Sequence, residues 1–181
     1  MLRETSRAAA ERRREALPLA EARVWTYFGH AGACFPETMT FWGSYLNANY
    51  GYDRTGKAPG EVENRYIRHY WQGGLELLCL GLDVYDFTRD DDFLNGTLLR
   101  LAVPILRFYL EHYPRRDDDG KILFQPAQAL ETWHDAVNPL PEIAGLATVL
   151  ERLLELDGLP AAEAAAWRGL QARLPAVPKR S

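Results

Sequence analysis

The sequence is poor in the residues that build metal centres and disulfide frameworks. Its 181 residues include only two cysteines, Cys34 and Cys79, and four histidines. The two cysteines lack the short spacing of a metal-binding pair, and no zinc signature can be assembled. The acidic turn 117–119 lacks the alternating ligands and the distal glutamate of a calcium loop. We therefore expect no metal and no cofactor, and we expect both thiols to be buried.

An excess of positive charge and a long apolar run are also missing. The formal net charge is −4, whereas a dedicated nucleic-acid binder normally displays a clustered basic face. No apolar run approaches the roughly 20 residues that span a bilayer, and the N-terminus lacks the pattern of a secretory signal. These absences predict a cytoplasmic protein with no nucleic-acid and no membrane partner, or a secreted one if an upstream leader is missing.

Apolar and aromatic residues are plentiful. Hydrophobic residues make up 47% of the chain and aromatic residues 12%, with five tryptophans and nine tyrosines. This is enough for one real core and too little for two large ones, so we predict a single domain over 1–175 and a disordered tail at 176–181. Flat aromatic faces suit sugar rings as well as a core, and both uses stay open.

Apolar spacing and helix-breaking residues predict an all-α fold of antiparallel helical hairpins without a strand system. A short extended piece is expected at 121–125. Acidic residues 90–92 favour a helix that begins directly after them. The predicted helices cover 4–28 with a break at Pro18, a short piece at 38–47, 64–88, 93–113 with a kink at Pro104, 141–156 and 161–174.

The 125–139 loop is the segment richest in chemical groups. It has neither helical nor strand periodicity, and it carries Glu131, Trp133, His134, Asp135 and Asn138. Apolar and aromatic neighbours raise the pKa of a carboxyl group, so Glu131 is a candidate general acid. Alternatively, its carboxylate caps nearby backbone groups or accepts a hydrogen bond from an arginine. His134 and Asp135 are weaker candidates for catalysis.

A second chemically rich segment lies at 68–76, where His69, Trp71 and Gln72 precede two glycines. Trp71 and Gln72 suit stacking and hydrogen bonding with a sugar, and core packing is the equally weighted alternative. The glycines cost helix stability, so they should permit a close approach, which we favour to be that of a neighbouring helix. Glu76 falls among leucines and should face the interior or a cavity.

Glu37 offers a second carboxylate in the long loop 29–60. Glycoside cleavage needs two carboxyl groups, one to protonate the leaving oxygen and one to activate water or attack the sugar. Glu37 is thus a candidate partner for Glu131, and Glu76 is a further one. Otherwise Glu37 caps a short helix. Inversion in a single step would require the two carboxyl groups to lie about 6.5–9.5 Å apart.

Four groups of residues resemble a known family. They are Trp71-Gln72-Gly73-Gly74-Leu75-Glu76-Leu77, Tyr85-Asp86-Phe87-Thr88-Arg89-Asp90 with Phe93-Leu94, Phe108-Tyr109, and Leu130-Glu131-Thr132 with Asn138-Pro139. Together they resemble the six-hairpin (α/α)6-barrel glycosidases, in particular α-L-fucosidase-type barrels and their uncharacterised bacterial relatives. The resemblance covers about 35–156, which is roughly half of such a barrel.

The resemblance implies a partial (α/α)6 toroid that acts on a carbohydrate, with Glu131 as the acid and His69, Trp71, Gln72, Glu76, Trp133, His134 and Asn138 at the sugar. The chain departs from the family at Ala129-Leu130, where Ser-Pro is usual, and near Cys34 and Pro36, where an asparagine pair is usual. The family's catalytic base would lie beyond Ser181. The alternative is a non-catalytic helical carbohydrate-binding or protein-interaction module, or an inactive fragment of a larger glycosidase. An incomplete toroid would expose an apolar face, so self-association stays open.

Overall fold

The computed structural model describes residues 2–130 and 132–177, with side chains from residue 4 onward, and this part of the chain is all-α. Four isolated β-bridges occur in it, but no strand. The all-α prediction is therefore confirmed, and the toroid stays a prediction. The elements are α1 Leu2–Glu15, α2 Leu17–Phe28, α3 Asn47–Tyr50, α4 Gly73–Thr88, α5 Asp91–Phe93, a π-helical turn Leu94–Leu98, α6 Leu99–His112, α7 Leu140–Leu154 and α8 Ala161–Ala172.

Helix α4 is the centre of the packing. It contacts α1, α6 and α7, while α8 contacts α6 and α7. An added Cβ at Gly74 would lie 3.0 Å from Cγ2 of Ile105, and one at Gly145 would lie 3.0 Å from Cδ1 of Leu75. Because larger residues would push these helices apart, the expectation that Gly74 admits a neighbouring helix is confirmed. Cys34 is buried as predicted, whereas Cys79 is only half-buried.

The predicted helix 64–88 is wrong in its first part, since α4 begins at Gly73. The side-chain oxygen of Asn64 accepts the N–H of Tyr66 at 2.9 Å. The N–H groups of Ile67 and Tyr70 then bind the carbonyl groups three residues before them. Asparagine commonly opens such turns by binding the backbone two residues on, and here successive turns replace the first part of the helix.

The segment 29–72 contains little regular structure. Its short helix is α3 at Asn47–Tyr50, so the predicted helix at 38–47 is wrong. Arginine side chains bind many of its carbonyl groups instead. Arg54 donates to the carbonyl oxygens of residues 50, 58 and 61, each at 2.7 Å. Arg68 donates to those of residues 62 and 63 at 2.8 and 3.3 Å. These bonds satisfy polar backbone groups that a helix or sheet would otherwise pair.

The two N-terminal helices follow the prediction, because α1 ends at Glu15 and Pro18 lies in the first turn of α2. The Asp90 carboxylate accepts the N–H of Phe93 at 3.0 Å and caps α5, as expected for an acidic helix start. Pro104 lies inside α6. The irregular helical backbone in this region is the π-helical turn Leu94–Leu98, directly before α6. Helices α7 and α8 lie within about two residues of their predicted bounds.

The continuous helical segment Asp91–His112 is long and apolar enough to cross a membrane by length and composition, which the sequence pattern did not predict. Of its most apolar 18-residue window, 61% is buried inside the fold. The core helices of folded domains pass the same test. The cytoplasmic localisation stays a prediction.

Candidate functional site

The 125–139 loop folds back on itself. Ala127 and Ala136 form an antiparallel bridge, and so do Leu130 and Trp133. Glu131 itself lies outside the described residues, so its predicted position and role stay predictions. The base of the loop is closed by Asn138, which has a left-handed backbone with φ of 51°. Its side-chain oxygen accepts the N–H of Phe124 at 2.8 Å. Asn138, predicted at the sugar, thus uses this oxygen to hold the loop.

Gln128 fastens the loop to residues 66–72. Its side chain is completely buried. Its Oε1 accepts the backbone N–H of His69 at 3.1 Å, and its Nε2 donates to the carbonyl groups of Leu130, at 3.2 Å, and Tyr66. Its own carbonyl accepts Nε2 of Gln72 at 2.6 Å. Gln128 is not among the predicted site residues, although a glutamine between two alanines in a polar loop is a position where a buried amide fits.

The network brings His69 and His134 together. Nδ1 of His69 lies 3.4 Å from the carbonyl oxygen of His134. Because a carbonyl group only accepts, this Nδ1 carries the proton of neutral His69, and Nε2 keeps a lone pair. Burial lowers the pKa of His69, so the neutral form dominates at neutral pH. The His134 ring meets the edge of the half-exposed Tyr66 ring at 5.2 Å between centroids.

Trp133 is the most exposed of the large hydrophobic side chains on this face. Its exposed fraction is 66%, and the neighbouring Leu130 and Val137 are about half exposed. Trp71, by contrast, is only 4% exposed and Gln72 only 3%. The alternative of core packing therefore describes Trp71 and Gln72, and stacking of a sugar on Trp71 does not fit its burial. Of these two tryptophans, Trp133 is the one whose indole ring a ligand can reach.

The predicted carboxylates lie at the surface in the described part of the chain. Glu37 is exposed in the loop after α2. Glu76 lies on α4 and is also exposed, so the expectation that it faces the interior is wrong. Its position among leucines misled the prediction because α4 packs with one stripe of its surface, and Glu76 is outside that stripe.

Two histidines absent from the predicted site, His30 and His112, contact each other, and His112 also lies beside Trp71. Nε2 of His30 and Nδ1 of His112 are 2.9 Å apart, and the rings of Trp71 and His112 are 4.3 Å apart. Nδ1 of His30 lies 2.8 Å from the carbonyl oxygen of Ala31, so it carries a proton. Burial, together with His30 and His69, lowers the pKa of His112 to about 3. A neutral His112 then donates through Nδ1 to His30 and keeps a lone pair on Nε2.

A buried acid, Glu142, lies at the start of α7, near Gln72 and Tyr113. Its side chain is fully buried, and neither carboxyl oxygen has a hydrogen-bond partner among the described residues. Burial raises the pKa of Glu142 to about 8. Interactions with its own backbone and with the Gln72 side chain favour the charged form and lower the pKa by a smaller amount. The Tyr113 hydroxyl and Oε1 of Gln72 also lack partners there. Glu142 is therefore protonated at neutral pH, and its burial keeps it away from any ligand in solution.

The cavities found in the described part of the chain lie elsewhere. Five have volumes of about 130–410 Å³, and none of the five is lined by a predicted site residue. The described His, Cys, Asp and Glu side chains form no group of three that could hold a metal ion. On the face around His69, His134 and Trp133, the two histidines are partly buried and Trp133 is exposed.

Comparison with known proteins adds no family to this geometry. No protein-family model matches the chain, and no curated protein matches it significantly.

Proposed function

We propose that the chain carries a glycosidase-like carbohydrate site on the face made by residues 66–72 and the 125–139 loop. Glu131 is the general acid of this proposal, and Trp133 is the platform on which a sugar ring stacks. The supporting observation is the Gln128 network. It holds the loop against the backbone of His69, so that Trp133, His134 and His69 belong to one connected surface.

The chemistry of the described groups suits an uncharged polyhydroxylated ligand. His69 is neutral, and the amides of Gln72 and Gln128 carry no charge. Lone pairs on imidazole nitrogens accept hydrogen bonds from sugar hydroxyl groups, and an exposed indole contacts the apolar face of a sugar ring. This combination supports carbohydrate over an anionic or apolar ligand at this face.

A non-catalytic carbohydrate-binding module is the second candidate. It is favoured by the burial of Trp71 and Gln72, which removes two of the predicted sugar contacts, and by the surface positions of Glu37 and Glu76. Such a module would bind sugar through Trp133 without cleaving it. The two candidates share the binding face and differ in the role of Glu131.

One set of variants separates the candidates. Trp133→Ala should lower binding to soluble polysaccharides, measured by affinity electrophoresis, at least about tenfold, because the sugar loses its stacking platform, and stacking of a nucleic-acid base on one such ring is worth about 1–3 kcal/mol. Trp25→Ala is the matched control, since Trp25 is also 66% exposed but lies on α2. Equal binding by both variants would refute the proposed face.

Glu131→Gln tests catalysis itself. On a substrate that the wild-type protein cleaves, this variant should lose reducing-sugar release by more than about a hundredfold, as expected for a general acid, while it still binds. Glu151→Gln, an exposed position on α7, is the control. Binding without cleavage by the wild-type protein would select the non-catalytic module.

A further inference from the structure

A separate cavity of about 350 Å³ lies between α2 and the segment 44–50. It contains none of the residues of the proposed carbohydrate face. Its volume is within the range of small-ligand sites. The side chains that matter for its chemistry are Arg23, Thr26, Tyr27, Tyr45, Asn47 and Tyr50.

Arg23 brings to this cavity a positive charge that no described residue neutralises. It is only 5% exposed. Its guanidinium donates to the carbonyl oxygen of Cys34 at 3.0 Å and to that of Gly43. None of the ion pairs formed by the described residues includes Arg23. Carbonyl groups are neutral, and buried charges are normally paired with an opposite charge.

Arg54 shows what distinguishes Arg23. Both side chains bind backbone carbonyl groups of the 29–72 segment and lie over a tyrosine ring. Arg54 is half-exposed, so water solvates its charge, whereas Arg23 is buried at the wall of a cavity. A guanidinium in this setting gains more from an anion than one in water, because its electrostatic interactions are less screened.

A wall of stacked rings lies beside Arg23. The Tyr27 and Tyr50 rings are 5.8 Å apart with an interplanar angle of 6°, and the Tyr45 and Tyr50 rings are 5.9 Å apart at 11°. The Tyr50 hydroxyl donates to the carbonyl oxygen of Pro59 at 2.6 Å, which fixes the central ring. The polar groups of Thr26 and Asn47 lie at the exposed side of the cavity.

We propose that this cavity binds a small carboxylate attached to a ring, with the carboxylate against Arg23 and the ring along the tyrosine wall. The planar guanidinium matches a carboxylate in shape and charge. The tyrosines supply apolar contact, and the threonine hydroxyl and asparagine amide supply hydrogen bonds. This site does not depend on Glu131 or on the proposed carbohydrate function.

The test uses pairs of ligands that differ in charge. Glucuronate is compared with glucose, and benzoate with benzyl alcohol, by calorimetry and by NMR of the arginine Nε–H resonances. Each acid should bind at least about tenfold more tightly than its neutral partner, a difference of about 1.4 kcal/mol, and should shift the Arg23 resonance. Equal affinity within both pairs would overturn the proposal, as would binding of inorganic phosphate but of neither carboxylate.

Variants that leave the Arg23 hydrogen bonds intact provide the second arm. Thr26→Glu places a negative charge on the lining and should weaken binding of the better acid at least about tenfold. Thr148→Glu, an exposed position on α7, is the control and should bind like the wild-type protein. Unchanged affinity in Thr26→Glu would overturn the proposal. Trp133→Ala should leave this binding intact, which keeps the test independent of the carbohydrate face.

Discussion

The segment 29–72 and the 125–139 loop meet the same physical problem with different chemistry. Both contain little regular secondary structure, so most of their backbone polar groups need other partners. In the first segment Arg23, Arg54 and Arg68 bind the carbonyl groups. In the second the neutral amides of Gln128 and Asn138 bind both N–H and carbonyl groups. Arginines leave positive charge behind, whereas amides leave none.

This difference bears on the ligands that we propose for the two regions. Two buried groups, Glu142 and His112, are neutral at neutral pH, because burial raises the pKa of the first and lowers that of the second. The neutral amides and the neutral His69 suit the proposed uncharged sugar. The arginine-bound segment contains a buried cation, Arg23, beside stacked tyrosines, and this favours an anion. We therefore propose a neutral ligand beside the loop held by amides and an anionic ligand beside the segment held by arginines.

The largest expected effect is that of removing the central amide. Gln128→Ala should lower the free energy of unfolding by about 3 kcal/mol, because several hydrogen bonds are lost and buried groups are left without partners. Urea denaturation measures this value. Gln171→Ala, an exposed site on α8, should change it by less than about 0.5 kcal/mol. A loss below about 1 kcal/mol in Gln128→Ala would show that the loop does not depend on its amide.

The next largest effect tests whether the buried Glu142 is neutral in the folded protein. Folding raises the pKa of Glu142 from 4.5 to about 8, so the folded state binds more protons between these values. Stability from this group is complete below pH 4.5 and falls as pH rises toward 8, at up to about 1.4 kcal/mol per pH unit. Glu142→Gln should flatten this dependence in urea denaturation between pH 6.5 and 8.

The exposed Glu151 on the same helix provides the control for this titration. Glu151→Gln should retain the wild-type fall in stability with pH. A wild-type stability that does not fall between pH 6.5 and 8, or that falls equally in Glu142→Gln, would mean that the acid is already ionised in the fold and is not a neutral group.

The smallest effect concerns the arginine-bound segment. Arg54→Met keeps most of the stem and removes three bonds to carbonyl groups. Because Arg54 is half-exposed, water replaces much of what is lost, and we expect a loss of about 1 kcal/mol in thermal or urea denaturation. Arg65→Met, at an exposed arginine, is the control. A loss as large as that of Gln128→Ala would remove the difference between the two loops.

The sequence predicted the helices that have regular apolar spacing and clear ends. The break before Pro18, the Asp90 cap and helices α7 and α8 depend on neighbouring residues, so local patterns suffice for them. The sequence pattern predicts a start of α4 that is too early. The turn at Asn64 and the burial of Trp71 and Gln72 depend on residues that are distant in the sequence. Periodicity cannot show these contacts.

The candidate site was predictable to the level of its segments but not of its individual roles. The polar 125–139 loop and residues 68–72 lie together through the hydrogen bonds of Gln128. The roles of Trp71 and Gln72 depend on burial, which is set by Phe108, Tyr109 and the 125–139 loop. His30 and His112 were missed because 82 residues separate them.

An NMR titration of the wild-type protein with soluble oligosaccharides tests the proposed carbohydrate face most directly. It follows the Trp133 indole N–H, the His69 and His134 ring resonances and the Arg23 Nε–H together. We expect that a neutral oligosaccharide shifts the tryptophan and histidine resonances and leaves the Arg23 resonance unchanged. A shift confined to Arg23, or no shift at Trp133 with any oligosaccharide, would contradict the carbohydrate face.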